Sequence, residues 1–331
     1  MGKTYNSLGG LMKSLFGRRS AIVTVVIAAA LILSGCSKSV NDSAGGASGD
    51  CGSYAIAMHA WGGYTASAQV VAEVAKQELG CTITQTTLEE GPVTYDAMEA
   101  GTIDLIIEDW GGGRWSDWSD RGAVVEAGDN GNVGIIGMYV APWMVEKYPD
   151  ITDSKNLNKY AALFKTADSG GKGAWFEGPT GYTTIGEKMV SANKLNFKVI
   201  FSGSEAALVD GFIKAEANKT PFIGYAWQPW TLHSKLPTLE AARVVFPAND
   251  WSDPAAASGL TDYPSTPLKK LISKKLNDAN DSFTSLVKNF SWTNADQNSV
   301  AADLEGGMTA EEAAKKWIAA NAATVAKWLG K

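Results

Sequence analysis

Ile103-Asp104-Leu105-Ile106-Ile107-Glu108-Asp109-Trp110 decides the fold. The apolar run is short, rich in β-branched residues and preceded by Gly101, which marks a buried strand rather than a helix. Working backwards, residues 93–100 read as a short helix ended by Gly101, and residues 82–88 as a β-rich run. Before them, Thr65 is placed to cap a helix with Ala68, Val71, Ala72, Ala75 and Leu79 on one face, stopped by Gly80. Residues 54–58 form another apolar run. Strand, helix, strand at this spacing is a parallel βαβ unit of an α/β protein. The plan recurs downstream: strands at 174–176, 197–201 and 221–226, with helices at 183–193 and from Ser204 to Lys214. The last third reads as helical. Thr309 and Glu312 form a capping box that opens an amphipathic helix running to Leu329. Trp317 and Trp328 share a face of that helix and read as packing residues.

In an open α/β sheet, ligands bind outside the carboxyl ends of the strands. Trp61, Trp110, Tyr139 and Trp227 each follow, or sit within, a run that reads as a strand. Aromatic faces converging from several strand ends, with few counter-charges, suit a cation that has no N–H to donate. Four faces at ~0.5–2 kcal/mol each supply roughly 2–8 kcal/mol before ordering costs. Micromolar affinity needs about 8 kcal/mol. Trp115, Trp118, Trp143, Trp175, Trp230 and Trp251 are secondary candidates, with Trp175 the substitute for Tyr139.

The amino terminus belongs to targeting rather than to the fold. Lys3, Lys13, Arg18 and Arg19 precede a short apolar run at 21–33, and Leu33-Ser34-Gly35-Cys36 resembles the lipobox of a bacterial lipoprotein. That resemblance implies cleavage after a 1–35 signal peptide and lipidation of Cys36, with residues 36–52 as a flexible tether poor in apolar side chains. The expected location is therefore extracytoplasmic, lipid-anchored to the outer face of the cell membrane. The remaining cysteines, Cys51 and Cys81, are expected to pair in an oxidising compartment, two free thiols being the alternative. Without the leader, 25 basic side chains face 35 acidic ones, a balance that argues against nucleic acid as a partner.

Three segments carry a more specific resemblance: Trp61-Gly62-Gly63-Tyr64-Thr65, the Ile103–Trp110 run quoted above, and Tyr225-Ala226-Trp227-Gln228-Pro229-Trp230. In order and spacing they resemble signature segments of the glycine betaine/choline (quaternary amine) substrate-binding proteins of ABC importers. The resemblance implies a type II periplasmic-binding fold with two α/β lobes and a ligand cleft between them. It assigns 53–138 to the first lobe, 139–246 to the second and 247–331 to a helical return to the first. Runs 137–143 and 244–250 are the candidate crossovers. It implies a cage of Trp61, Trp110, Tyr139 and Trp227 around a trimethylammonium group, a permease partner, and no enzymatic activity, cofactor or metal.

The polar end departs from the family pattern. No histidine lies between Pro229 and Trp230, and Gly63 stands where choline binders often have an acid. The backbone N–H groups of Gly62 and Gly63, or those at the start of the helix expected from Gly181-Tyr182-Thr183, are expected to hold a carboxylate, with His59 and His233 as helpers. Glycine betaine is thus favoured, with choline, carnitine and proline betaine as alternatives. Adjacent Glu108 and Asp109 diverge on a strand and belong to the scaffold rather than to a glycosidase. A sugar-binding lipoprotein is the remaining competitor, since tryptophan also stacks on pyranose rings. Two histidines in the chain, and no nucleophile elbow or phosphate loop, leave little for catalysis.

Overall fold

The computed structural model describes residues 51–111, 114–249, 253 and 256–331. Cys36, the leader, the tether before Cys51, and Trp251 lie outside the described residues. The rest builds one mixed eight-stranded sheet in the order β2-β1-β3-β8-β4-β7-β5-β6. Its strands are β1 (Ser53–Met58), β2 (Thr82–Thr87), β3 (Leu105–Asp109), β4 (Val124–Val140), β5 (Gly173–Glu177), β6 (Phe197–Phe201), β7 (Ile223–Gln228) and β8 (Thr266–Ser273). β1 runs parallel to β2 and β3, and β5 runs parallel to β6 and β7. Each parallel set is the product of strand–helix–strand connections. β8 is antiparallel to both β3 and β4.

β4 joins the two sets. Its residues Val124 to Gly134 pair with β8, and Ile135 to Val140 pair antiparallel with β7. The first passage between halves therefore falls at Gly134–Ile135, inside a strand and ahead of the 137–143 run expected from the sequence. Residues 243–245 still bridge to Tyr139 and Asp153, and sheet pairing resumes at Thr266. The return lies between them, so it extends beyond the 244–250 run, and part of it falls outside the described residues.

Local signals explain most element boundaries. Helix α1 (Gly62–Leu79) starts earlier than expected: Trp61 is the extended N-cap, and Thr65 lies inside the first turn with its hydroxyl on the Trp61 carbonyl. Gly80 closes it in the left-handed conformation at φ 72°. Burial runs from Ala66 through Ala75 on every face, because α1 is sandwiched between the sheet and the carboxyl-terminal helices Asn294–Glu305 and Ala310–Ala320. Its many alanines permit that close approach. Helix α2 (Pro92–Glu99) has proline in its first turn, where no N–H is missed. Ser204 caps helix Glu205–Asn218 through the Ala207 N–H. The Thr309–Glu312 capping box is present, but the final helix breaks at Asn321. Trp317 and Trp328 stack at 5.5 Å within the buried carboxyl-terminal cluster.

Cys51 and Cys81 form a disulfide that ties the start of β1 to the start of β2 across 30 residues. Replacing both by serine is expected to lower stability by about 3–4 kcal/mol, from the loop entropy returned to the unfolded chain. A urea midpoint unchanged from that of the oxidised protein would exclude a structural role.

Candidate functional site

Trp61, Glu90, Trp110, Ile136, Tyr182, Thr183, Tyr225 and Trp227 line one tight cavity of about 20 Å³. Trp61, Glu90 and Trp110 come from the loops after β1, β2 and β3. Tyr225 and Trp227 lie two apart on β7 and so share a face. Ile136 faces Trp227 across the β4–β7 ladder. Tyr182 and Thr183 come from the loop after β5. Both parallel sets thus present their carboxyl ends to the same space, as an open α/β sheet should.

Tyr182 sits at the centre of the ring set. Its ring meets Trp61 edge-on at 5.4 Å and Trp227 at 5.7 Å, and its hydroxyl donates to the Ala60 carbonyl at 3.0 Å. Trp230 stacks on Trp227 at 4.0 Å with 10° between planes, and stiffens it from outside the cavity. Trp110 lies against Gly134, where a Cβ would come within 2.6 Å of its ring. The glycine on β4 is what lets the indole approach the strand.

Carboxyls hold the rings. Glu108 is fully buried; one oxygen accepts the indole N–H of Trp61 at 3.2 Å and of Trp110 at 2.8 Å, and the other accepts the Ser67 hydroxyl at 2.9 Å. Burial pushes its carboxyl above the usual range, against the pull of these donors. Asp109 points away to Tyr95 and to the Gly111 N–H. Glu90 is the carboxyl on the cavity wall. It accepts the Trp110 backbone N–H at 3.1 Å and pairs with Arg114 at 3.3 Å. Burial pushes Glu90 up to about 7, partly offset by the Arg114 charge. Arg114 also donates to the Thr183 hydroxyl at 3.3 Å, reaching across to the second half.

Three of the four expected cage residues, Trp61, Trp110 and Trp227, meet in this cavity. Tyr139 does not. It pairs with Gly224 on β7, one residue out of step with Tyr225 and Trp227, so it projects from the opposite face. There it is fully buried and meets His233 edge-on at 5.8 Å. Trp175 is no substitute, being packed against Phe197 and Phe246 with its N–H on Glu177.

The expected polar end is also rearranged. The Gly62 N–H donates at 2.9 Å to Glu205, whose other oxygen takes the Trp230 indole N–H at 2.6 Å. A carboxylate does sit at the start of α1, and it belongs to the protein. Gly63 packs on Gln297 and is not on the cavity wall. His59 lies behind Trp61, stacked at 5.4 Å, with Nδ1 on the Leu88 carbonyl; burial lowers its pKa to about 4, so it is neutral. His233 places Nε2 on the Trp227 carbonyl at 3.0 Å, which supports that residue from behind. The helix expected from Thr183 starts at Gly186, which leaves Tyr182 and Thr183 in the loop, on the wall.

Sequence reasoning missed Glu90, Ile136, Tyr182 and Tyr225. Tyr225 carried a readable signal, because it lies two residues before Trp227 on one strand. Glu90 follows β2 as Trp61 follows β1, and strand-end logic reaches it too. Ile136 had no such signal, since its strand was not recognised, and Tyr182 was read as part of a helix start rather than as a ring on the wall.

Comparison with known proteins fits this geometry. Residues 52–320 match the family model described as the substrate binding domain of ABC-type glycine betaine transport system. A trimethylamine N-oxide-binding protein of Pelagibacter ubique is 27% identical over 285 residues, covering 80% of this chain and 87% of the relative. Among solved structures, a choline-binding protein of an ABC transporter with choline bound superposes with a TM-score of 0.69 at 17% identity, over 85% of this chain and 92% of that one. Lactococcal OpuAC, closed on glycine betaine, gives 0.64 at 19% identity, over 84% and 99%. These last two establish the two-lobed fold. With the family match spanning nearly all of the described residues, the chain belongs to the substrate-binding proteins of ABC-type glycine betaine transport systems, which bind and deliver rather than catalyse.

Proposed function

We propose that this chain is an extracytoplasmic lipoprotein receptor that captures a small trimethylated amine in the ring-lined cavity and delivers it to an ABC permease. The supporting observation is the convergence of five aromatic rings, Trp61, Trp110, Tyr182, Tyr225 and Trp227, from both halves of the sheet. A nitrogen bearing methyl groups offers no hydrogen bond and a diffuse charge. Ring faces satisfy both properties, while an ion-paired carboxyl on the wall leaves little local net charge. A sugar would need many polar partners around the rings, and this wall has few. The two halves act as lobes, flexing where β4 changes partners at Gly134–Ile135. Lipidation of Cys36 and the tether hold the receptor at the membrane.

Glycine betaine remains the first candidate, with choline, carnitine and proline betaine behind it. Trimethylamine N-oxide joins the panel through the Pelagibacter relative. Because Glu205 occupies the Gly62 N–H, the ligand's oxygen is directed instead towards Glu90.

Two measurements test this reading. Trp61→Ala or Trp227→Ala weakens glycine betaine binding by at least about tenfold in calorimetry, the loss of one desolvated ring face; an unchanged Kd removes that ring from the cage. The pH profile tests Glu90. Its pKa of about 7 keeps it partly protonated at neutrality, able to donate to a ligand oxygen. Glycine betaine affinity should then fall as pH rises through about 7, whereas choline affinity rises as the carboxylate forms. Glu90→Gln flattens both profiles, and a flat wild-type profile would show that Glu90 does not meet the ligand.

A further inference from the structure

We propose that Glu108 is the positioning residue of the cage, one buried carboxyl that orients both indoles contributed by the first half of the sheet. This rests on the cavity being the ligand site, and it adds a residue that does not line the cavity.

Trp61 and Trp110 lie at separate points of the chain, after β1 and after β3. Each stands in a loop, where an indole has more than one way to turn. A cation is attracted by the ring face and repelled by the ring edge, so orientation decides whether an indole binds it. Glu108 removes that freedom by accepting both indole N–H groups on Oε1, at 3.2 and 2.8 Å. Oε2 is itself held by Ser67, on the second turn of α1, at 2.9 Å. The carboxyl is therefore fixed to the helix before it fixes the rings.

The arrangement is costly as mere packing. The carboxyl is fully buried, and the groups hydrogen-bonded to it, Trp61, Trp110 and Ser67, with Gln297 beside them, are all neutral. An apolar side chain of similar volume would fill the space without desolvating an acid. It would leave two indole N–H groups without acceptors. Asp109, next along the strand, turns away and cannot replace it.

The chemistry requires an acceptor at this position rather than a charge. An amide oxygen accepts both indole N–H groups equally well. The amide NH₂ can donate to Ser67, whose hydroxyl lies 3.2 Å from the Gly63 carbonyl and can donate onward. Gln is thus the rescuing substitution, and Met the isosteric one that removes the acceptor.

The test reads the two indole N–H resonances in ¹⁵N-labelled protein, assigned with Trp61→Phe and Trp110→Phe, together with calorimetry using glycine betaine. Glu108→Met is expected to shift both resonances, to leave those of Trp317 and Trp328 in place, and to weaken binding at least tenfold. Glu108→Gln is expected to keep both resonances hydrogen-bonded and Kd within about threefold of wild type. Glu108→Asp, which withdraws the carboxyl by one carbon, carries the same test if the Met variant does not fold, with both resonances shifted and binding weakened. Unmoved resonances or unchanged affinity in the Met or Asp variant overturn the proposal. So does a Gln variant as weak as Met with its indoles in place, since that outcome assigns Glu108 an effect of charge alone. Should wild type bind no methylated amine, the reading of the cavity fails, while the resonances still decide whether Glu108 orients the rings.

Discussion

The continuity of β4 is the constraint on which the site depends. Hydrogen-bonded to β8 along its first two-thirds and to β7 along its last third, this single strand belongs to both halves of the sheet. A ladder cannot part without leaving backbone groups unpaired, so each half is anchored to its own stretch of the strand. The change of partner falls at Gly134–Ile135. Gly134 is also where the Trp110 ring lies on the backbone, and Ile136, two residues on, is part of the cavity wall. The passage between halves and the floor of the cavity are one place. Any flexing of β4 there changes the shape of the space the ligand would fill.

The tryptophans impose a second requirement. An indole buried for its face still has an N–H to satisfy. Three glutamates, Glu205 half-buried and the other two fully buried, meet that need: Glu108 for Trp61 and Trp110, Glu205 for Trp230, and Glu177 for Trp175. Burial raises the pKa of all three. Their shared role places these carboxyls behind tryptophan rings rather than on the cavity wall. On the wall itself the one acid, Glu90, is paired with Arg114.

Much of this was legible in the chain. The first βαβ unit, the three later parallel strands, the Ser204 cap and the Thr309 box follow from local patterns that burial does not override. β4 did not. Its glycines at 128, 131, 134 and 137 and its asparagines at 130 and 132 break the alternation by which a strand is recognised. Those residues reflect tertiary needs: Gly131 has a positive φ of 91° and closes on the Trp292 backbone, and Gly134 admits Trp110. Missing β4 displaced the first crossover by a few residues. Trp61, Trp110 and Trp227 were legible because each lies at or just after a strand end, and strand ends converge.

The exchange of Tyr139 for Tyr182 shows where such reasoning stops. The family resemblance, with its place in an apolar run, made Tyr139 the expected fourth wall. Yet facing depends on parity. Position 139 is opposite Gly224, and the rings that face the cavity are at 225 and 227. A step of one residue moves a tyrosine from the cavity to the far side of the sheet, beside His233 and Arg243. Tyr182 reaches the cavity by another route. Its loop follows β5, and the Ala60 carbonyl that holds it belongs to the turn before Trp61. This ring is supplied by one half of the molecule and held by the other, a contact that neither local pattern nor spacing encodes. For the same reason it joins the Trp61 and Trp227 walls of the cavity into one surface.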